Sequence, residues 1–224
     1  MIAEHHIAVT RTARYYTVGG GEENGELREL WIVCHGYGQL AGTFIETFST
    51  VATPWRLIAA PEALSRFYLD PSRSPSDPLP RAGAAWMTRE DRENEIADQI
   101  RYLDALHERL RPAAIRDRVR LRVLGFSQGV ATAGRWVAHG NARTSQLILW
   151  AGKFPPDIDL RALAETLAGA PVLLVTGTRD SFASWSAADQ EAHRFADAGI
   201  AAKLMSFDGG HRLDNATLAA ISDA

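Results

Sequence analysis

The stretch Gly125-Phe126-Ser127-Gln128-Gly129 decides the fold, because of what stands on each side of it. The apolar run Val119 to Leu124 precedes it, and the small-residue helical stretch Val130 to Ala138 follows it. A Gly-x-Ser-x-Gly pentapeptide between a strand and a helix is typical of a strained turn that exposes a nucleophilic serine, and its glycines leave room for the adjoining elements. We therefore predict a strand, a turn and a helix here, with Ser127 as the nucleophile.

Four more apolar runs are short, continuous and rich in strand-forming residues: Leu30 to Cys34, Leu57 to Ala60, Leu147 to Trp150 and Val172 to Thr176. Such runs are typical of strands buried on both faces of a parallel sheet. Helical patterns separate them. This alternation predicts an α/β protein with a mostly parallel, doubly wound sheet and helices on both faces, in which ligands gather beyond the carboxyl ends of the strands.

The clearest helix has Asp91 as its predicted N-cap and Pro112 marking its end, with apolar residues spaced along one face at Ile96, Ile100, Leu103, Leu106 and Leu110. Residues 5 to 18 are rich in β-branched and aromatic residues and run into three glycines, which predicts an early strand or hairpin. Four prolines and three serines from Pro71 to Pro80 predict a surface loop. The 224 residues suit one domain, predicted over 1–224, and leave little chain for a large cap.

Composition excludes several classes of function. The net charge of -3 supplies no broad basic field for a nucleic acid. Cys34 is the single cysteine, which excludes an intrachain disulfide and a multi-cysteine zinc site and fits a reducing compartment. The pair His5-His6 has no third ligand at a fixed short spacing, so we predict a solvated strand start and no metal site. No apolar window reaches about 18 residues, so we expect a cytoplasmic protein without stable membrane insertion.

A serine hydroxyl needs a base and a carboxylate that orients this base, and the order expected around such a turn is Ser, acid, His. His211, in the loop after the apolar run Ala201 to Met205, is the predicted base. His193 falls within a helical stretch beside charged residues and is predicted to lie on an exposed helix surface. Asp180, just past the run Val172 to Thr176, is the predicted acid, with Asp208 as the alternative.

The loop His35-Gly36-Tyr37-Gly38 also follows a predicted buried strand, at the place that supplies backbone N–H donors to a developing oxyanion. We predict that the N–H groups of Tyr37 and Gln128 form this oxyanion hole, and that His35 anchors the loop by hydrogen bonding. Residues 36–41 also match the G-x-G-x-x-A form of a dinucleotide-binding turn, but the next strand holds no acid to bind a ribose. A dinucleotide-dependent enzyme is therefore a weaker alternative.

Three motifs in order resemble the phospholipase/carboxylesterase family of α/β-hydrolases, which includes the acyl-protein thioesterases. They are His35-Gly36-Tyr37-Gly38, Gly125-Phe126-Ser127-Gln128-Gly129, and Asp180 with Gly210-His211. The resemblance spans nearly the whole chain and extends to further landmarks at Pro61-Glu62-Ala63, Trp86-Met87 and Gly152-Lys153-Phe154-Pro155. It implies the α/β-hydrolase fold and a Ser-His-Asp mechanism on carboxylic esters or thioesters, without a metal or an organic cofactor.

The chain departs from this family at three places. Val130 stands where the family usually has a further glycine, Gln39 where it has an acid, and Ser181-Phe182 where a Val-Pro pair follows the catalytic aspartate. These departures affect the substrate more than the chemistry, because none removes a member of the triad.

The sequence therefore predicts a carboxylesterase or thioesterase that acts on short to medium acyl chains through an acyl-enzyme, with a small-molecule ester or thioester as its partner. Four aromatic residues after strand-like runs are candidates to line an apolar acyl site, with ordinary packing as the alternative for each: Phe67, Tyr68, Trp86 and Phe154. A catalytically inactive binding protein of the same fold is the other alternative, and the oligomeric state, a homodimer included, stays open.

Overall fold

The computed structural model describes residues 1–21, 27–70, 81–111 and 118–223. Within them, nine strands are formed: β1 Tyr15–Gly19, β2 Glu29–Cys34, β3 Arg56–Pro61, β4 Ser65–Tyr68, β5 Ala82–Ala85, β6 Arg120–Phe126, β7 Gln146–Trp150, β8 Val172–Gly177 and β9 Ala202–Phe207. The helices are α1 Ala41–Glu46, α2 Arg92–Leu110, α3 Gln128–His139, α4 Leu160–Leu167, α5 Trp185–Asp197 and α6 Asn215–Ser222, with a 3₁₀ turn at Thr47–Thr50.

Seven of these strands form one sheet in the order β1-β3-β2-β6-β7-β8-β9. Adjacent strands in this sheet run parallel, except that β1 pairs antiparallel with β3 at the edge of the sheet. Strands β4 and β5 form a separate antiparallel ribbon. The predicted mostly parallel sheet is confirmed, and its crossovers bring the carboxyl ends of the parallel strands to one edge, where ligands bind in folds of this kind.

The sheet buries side chains on both faces, as the continuous apolar runs predicted. Every residue of β2 is buried, with Ile32 contributing to one core and Trp31 to the other. The first core contains side chains of α2 to α5, and the second contains side chains of α1 and α6. The described residues form no large cap. Among them, loops and the β4–β5 ribbon lie at the edge that carries the carboxyl ends of the strands.

One predicted element is wrong in its extent, and the predicted cap of another differs in its conformation. The early strand covers only Tyr15–Gly19, because its partner β3 offers a ladder of five residue pairs, and His5 and His6 lie outside any strand. Asp91 does occupy the N-cap position of α2, but its backbone is left-handed (φ 49°) and its side chain does not cap the helix. Pro112 and the predicted loop Pro71 to Pro80 lie outside the described residues.

Candidate active site

Ser127 lies in a strained turn between the end of β6 and the start of α3, with φ 54° and ψ -115°. Such a backbone conformation persists only where the surroundings enforce it. A Cβ atom on Gly125 would lie 2.3 Å from the carbonyl oxygen of Gly129, and a Cβ on Gly129 would lie 2.2 Å from the carbonyl oxygen of Cys34. Both positions therefore require glycine, and the close approach of α3 to the sheet holds Ser127 at the carboxyl edge.

The structure brings His211 and Asp180 to Ser127 from two other loops. His211 Nε2 is 2.9 Å from Ser127 Oγ, and His211 Nδ1 is 2.8 Å from Asp180 Oδ2. The second oxygen of Asp180 accepts the backbone N–H groups of Phe182 at 2.8 Å and Ala183 at 3.0 Å. Because an ionised carboxylate only accepts, His211 Nδ1 carries the proton, and this leaves Nε2 free to accept the hydrogen of the serine hydroxyl.

The charge of Asp180 is stabilised where it lies. Burial alone would raise the pKa of Asp180, but hydrogen bonds from the Ala183 N–H, the His211 ring and the Phe182 N–H outweigh it and lower this pKa below its ordinary value. The side chain is buried and ionised at neutral pH, which suits a carboxylate that orients an imidazole.

The two alternatives weighed on the sequence lie elsewhere. The side chain of Asp208 is 79% exposed and forms an ion pair with Arg179 at the surface. The side chain of His193 is 74% exposed on α5, and its Nδ1 lies 2.8 Å from the carbonyl oxygen of Asp189 in the same helix. Neither side chain contacts Ser127 or His211, so Asp180 and His211 are the pair that the fold places beside the serine.

Two aromatic rings enclose the imidazole of His211. The buried ring of Phe126 and the exposed ring of Phe182 each have their centroid 5.0 Å from that of His211. The loops after β8 and β9 touch closely here, since a Cβ on Gly177 would lie 2.3 Å from the carbonyl oxygen of Gly209. Neither aromatic contact was predicted from the sequence. The signal for one was present, because Phe182 is a position where the chain departs from the family pattern.

The loop from His35 to Gly38 is locked by its own hydrogen bonds. The Gly36 N–H donates to Gln39 Oε1 at 2.8 Å, and the Gly38 N–H donates to the Ala84 carbonyl oxygen at 2.9 Å. The N–H groups of Tyr37 and Gln128, in contrast, have no partner among the described residues. These are the two donors expected from the sequence. Because the glycine N–H groups are used internally and α1 has only six residues, a dinucleotide phosphate would find no free donors at Gly36 or Gly38.

The prediction that His35 anchors this loop is confirmed. His35 Nδ1 is 2.8 Å from the Gly36 carbonyl oxygen, and Nε2 accepts the Ala63 N–H at 3.1 Å. The ring is fully buried, and burial lowers the pKa of His35, so it is neutral here. Trp86 donates its indole N–H to the His35 carbonyl oxygen at 2.8 Å and packs its ring 5.1 Å from the imidazole.

The side chain of Gln128 connects the Trp86–Met87 segment to the turn that carries Ser127. Its side-chain oxygen accepts the Trp86 N–H at 3.0 Å, and its amide nitrogen donates to the Met87 carbonyl oxygen at 2.9 Å. The Gln128 side chain therefore fixes the backbone of Trp86 and Met87 next to the His35–Gly38 loop. The backbone N–H of Gln128 stays available.

A cleft of about 640 Å³ opens beside His211 at this edge. Its volume lies within the range of small-molecule sites. The described residues that line it are Gly38, Gln39, Leu40, Thr43, Phe44, Thr47, Leu69, Arg81, Ala82, Phe126, His211, Arg212 and Leu213. They come from the loop after β2, from α1 and the 3₁₀ turn, from the β4–β5 ribbon, from β6 and from the loop after β9, so no local sequence pattern could have assembled them.

None of the four aromatic candidates for the acyl site lines this cleft. Trp86 and Phe154 are buried core residues, 2% and 4% exposed, and Phe154 borders a separate cavity of about 380 Å³ beside α5. Phe67 and Tyr68 lie in strand β4 rather than in a loop. Phe67 stacks on Tyr37 with the ring centroids 5.1 Å apart, and Tyr68 is exposed. For Trp86 and Phe154 the structure therefore favours the alternative of ordinary packing.

One group of possible metal ligands forms among the described residues, from Glu4, His6 and Asp91. His6 Nε2 is 3.2 Å from a Glu4 carboxylate oxygen and 3.3 Å from an Asp91 carboxylate oxygen. All three side chains are exposed, and surface carboxylates often meet a histidine in this way without a metal. In the part of the chain that the structure describes, no helix combines the length and apolar character needed to cross a membrane.

Comparisons with known proteins agree with the fold. The family model "Serine hydrolase (FSH1)" matches residues 33–219. The solved structure of Zea mays acyl-protein thioesterase 2 is 18% identical, with a TM-score of 0.68 over 95% of this chain and 97% of that chain. A Mesorhizobium loti carboxylesterase is 16% identical, with a TM-score of 0.68 over 95% of each chain. The Bacillus cereus carboxylesterase is 14% identical, with a TM-score of 0.63 over 94% of this chain and 92% of that one. No curated protein matches the sequence.

These comparisons confirm the resemblance drawn from the motifs. The matching model is that of a serine hydrolase family, and the similar structures are a thioesterase and two carboxylesterases. At such low identity the structures show the α/β-hydrolase fold, and they leave the substrate to be argued from the site.

Proposed function

Because the chain belongs to the FSH1 serine hydrolase family, we propose that it hydrolyses carboxylic esters or thioesters of short to medium acyl chains through a triad of Ser127, His211 and Asp180. The observation that carries this proposal is the continuous hydrogen-bonded series from hydroxyl to imidazole to carboxylate, with steps of 2.9 and 2.8 Å.

In the first half of the proposed reaction, Ser127 Oγ attacks the acyl carbon while His211 Nε2 accepts the hydroxyl proton. Asp180 holds the resulting imidazolium through Nδ1. The N–H groups of Tyr37 and Gln128 hold the negative charge that develops on the carbonyl oxygen, and donors fixed in place in this way need no reorganisation as the charge builds. The proton on Nε2 then passes to the leaving alcohol or thiol, which leaves an acyl group on Ser127.

In the second half, a water molecule enters where the alcohol or thiol left. His211 Nε2 takes a proton from this water as it attacks the acyl carbon, the same two N–H groups hold the oxyanion, and the acid departs as the proton returns to Ser127 Oγ. The two halves use the same groups in reverse, which requires no metal or organic cofactor.

The cleft beside His211 supports the preference for short to medium chains. Its apolar lining includes Leu40, Phe44 and Leu213, and its volume of about 640 Å³ accommodates a small ester. The described residues form no cap that would enclose a long chain, so we expect the rate to stop rising beyond medium chain length.

The direct test measures hydrolysis of p-nitrophenyl esters from acetate to palmitate, and of matched acyl thioesters, by the wild type and by Ser127→Ala. We expect turnover by the wild type that Ser127→Ala lowers by about 10⁴-fold or more, as in other serine hydrolases that lose the nucleophile. Ser49→Ala, at an exposed serine outside the site, is the matched control. A folded wild type without turnover of any ester or thioester would favour the catalytically inactive binding protein, and rates rising steadily to palmitate would refute the chain-length preference.

A further inference from the structure

The cleft beside His211 has an unusual charge for this protein. The chain as a whole carries a net charge of -3, yet none of the described residues lining the cleft is acidic, while Arg81 and Arg212 both line it. A concave surface lined by one sign of charge raises the local concentration of ligands of the opposite sign. Both ionised side chains among the described lining residues are therefore positive, whereas the chain as a whole is negative.

The two arginines differ in how free they are. Arg212 donates to a carboxylate oxygen of Asp214 at 3.0 Å, and its guanidinium lies 5.3 Å from the centroid of the Phe207 ring. Arg81 is exposed and makes no ion pair or side-chain hydrogen bond with any other described residue. Of the two arginines, Arg81 is thus the one whose charge has no partner in the part of the chain that the structure describes.

The backbone places Arg81 close to the proposed oxyanion loop. Its carbonyl oxygen accepts the Leu69 N–H at 2.9 Å, which continues the β4–β5 ribbon by one pair. Ala84 in the same ribbon accepts the Gly38 N–H at 2.9 Å. Ala84 lies three positions after Arg81 along extended chain, so the Arg81 Cα lies about 10 Å along the strand from that contact. A substrate of medium length whose carbonyl group lies at the His35–Gly38 loop is long enough to span such a distance.

We propose that the preferred substrate is an ester or thioester that carries a negatively charged group, a carboxylate or a phosphate, on its acyl or its alcohol portion, and that Arg81 is the residue that selects this charge. The guanidinium recognises either group through paired N–H donors. The apolar lining of Leu40, Phe44 and Leu69 then contacts the carbon chain between the charge and the scissile bond. This inference rests on the proposed hydrolase function.

The test compares pairs of esters that differ only in charge, with hydrolysis followed by the acid released at constant pH. For the acyl side the pair is monomethyl adipate and methyl hexanoate, and for the alcohol side it is 4-butyryloxybutyrate and butyl butyrate; in each pair a methyl group replaces the carboxylate and one ester bond is present. We expect the wild type to prefer the charged member of at least one pair in kcat/KM by about fivefold, the size of a favourable solvent-exposed ion pair. The preference should shrink at 1 M salt because of screening.

Variants assign the preference to the residue. Arg81→Gln is expected to abolish it by lowering kcat/KM for the charged ester about fivefold while leaving the neutral ester unchanged, and Arg81→Lys to keep most of it. Arg161→Gln, at an exposed arginine on α4 away from the cleft, is the control.

Two failures can be told apart. Hydrolysis of the neutral esters with no charge preference in either pair, or a preference that survives Arg81→Gln, overturns this inference and leaves the hydrolase intact. Absence of hydrolysis of all four esters by a folded protein that turns over p-nitrophenyl esters or acyl thioesters overturns this inference alone, and absence of turnover of every ester and thioester overturns both proposals.

Discussion

Asp180→Asn is expected to lower kcat for ester hydrolysis by about 10⁴-fold while the protein stays folded. The reason lies in how the side chain is held. One oxygen of Asp180 accepts two backbone N–H groups, from Phe182 at 2.8 Å and Ala183 at 3.0 Å, and the other faces His211 Nδ1 at 2.8 Å. In the asparagine variant the carbonyl oxygen takes the place of the first oxygen, so the amide NH₂ faces the imidazole.

An amide that donates to Nδ1 forces the proton of the neutral imidazole onto Nε2, and Nε2 then no longer accepts the hydrogen of Ser127 Oγ at 2.9 Å. The base is lost although every heavy atom keeps its place. A 10⁴-fold loss corresponds to about 5.4 kcal/mol of barrier, since each tenfold change in rate is worth about 1.36 kcal/mol. The backbone hydrogen bonds that fix the loop are kept, so the free energy of unfolding should change much less.

The assay is steady-state hydrolysis of p-nitrophenyl butyrate at pH 7.5, together with urea denaturation of each variant. Asp208→Asn is the matched control, because this exposed carboxylate contacts Arg179 and not His211. It should keep kcat within about twofold. A loss below tenfold in Asp180→Asn, or an equal loss in Asp208→Asn, would refute the assignment of the orienting acid.

Two further predictions concern stability. The pKa of Asp180 is lowered in the folded state, so its stabilising contribution is present above the unfolded pKa of about 3.9 and is lost as the pH falls through the folded pKa. The difference in free energy of unfolding between wild type and Asp180→Asn, measured by urea denaturation, should therefore shrink below about pH 4. A difference that stays constant from pH 7 to pH 3 would contradict this. Gly129→Ala is expected to lower the free energy of unfolding by about 1–3 kcal/mol, because its Cβ would lie 2.2 Å from the Cys34 carbonyl oxygen. Gly21→Ala, with its nearest contact at 3.8 Å, should change it by less than about 0.5 kcal/mol, and equal effects at the two positions would count against the packing argument.

Much of the fold could be predicted because its strands are buried on both faces. Runs such as Leu30 to Cys34 and Val172 to Thr176 have no solvent-facing positions, so they are continuous in apolar character and stand out in the sequence. The edge strand β1 has the weaker alternating signal, and its length depends on the ladder that β3 offers. That is why the prediction of a strand or hairpin over residues 5 to 18 is wrong for residues 5 to 14, although their composition suits one.

The site was predictable to the extent that its residues follow strands. Ser127, Asp180 and His211 each come after a strand, and parallel strands deliver the residues that follow them to one edge. The cleft was not predictable, because Arg81 and Leu69 reach it through the β4–β5 ribbon, whose register is a tertiary property. Trp86 is an example: an aromatic residue after a strand gives the same sequence pattern whether it lines a cleft or packs beneath a loop, as Trp86 does.

The most direct measurement is the site and rate of labelling by a fluorophosphonate, which reacts covalently with an activated serine. Peptide mass spectrometry should find the adduct on Ser127, and the labelling rate should fall at least 100-fold in folded His211→Ala, which lacks the base. His193→Ala, at an exposed histidine, should label at the wild-type rate. Ser127 is not an activated nucleophile if the folded wild type takes up no label or carries it on another serine. Labelling of His211→Ala at the wild-type rate would contradict the role of His211 in that activation.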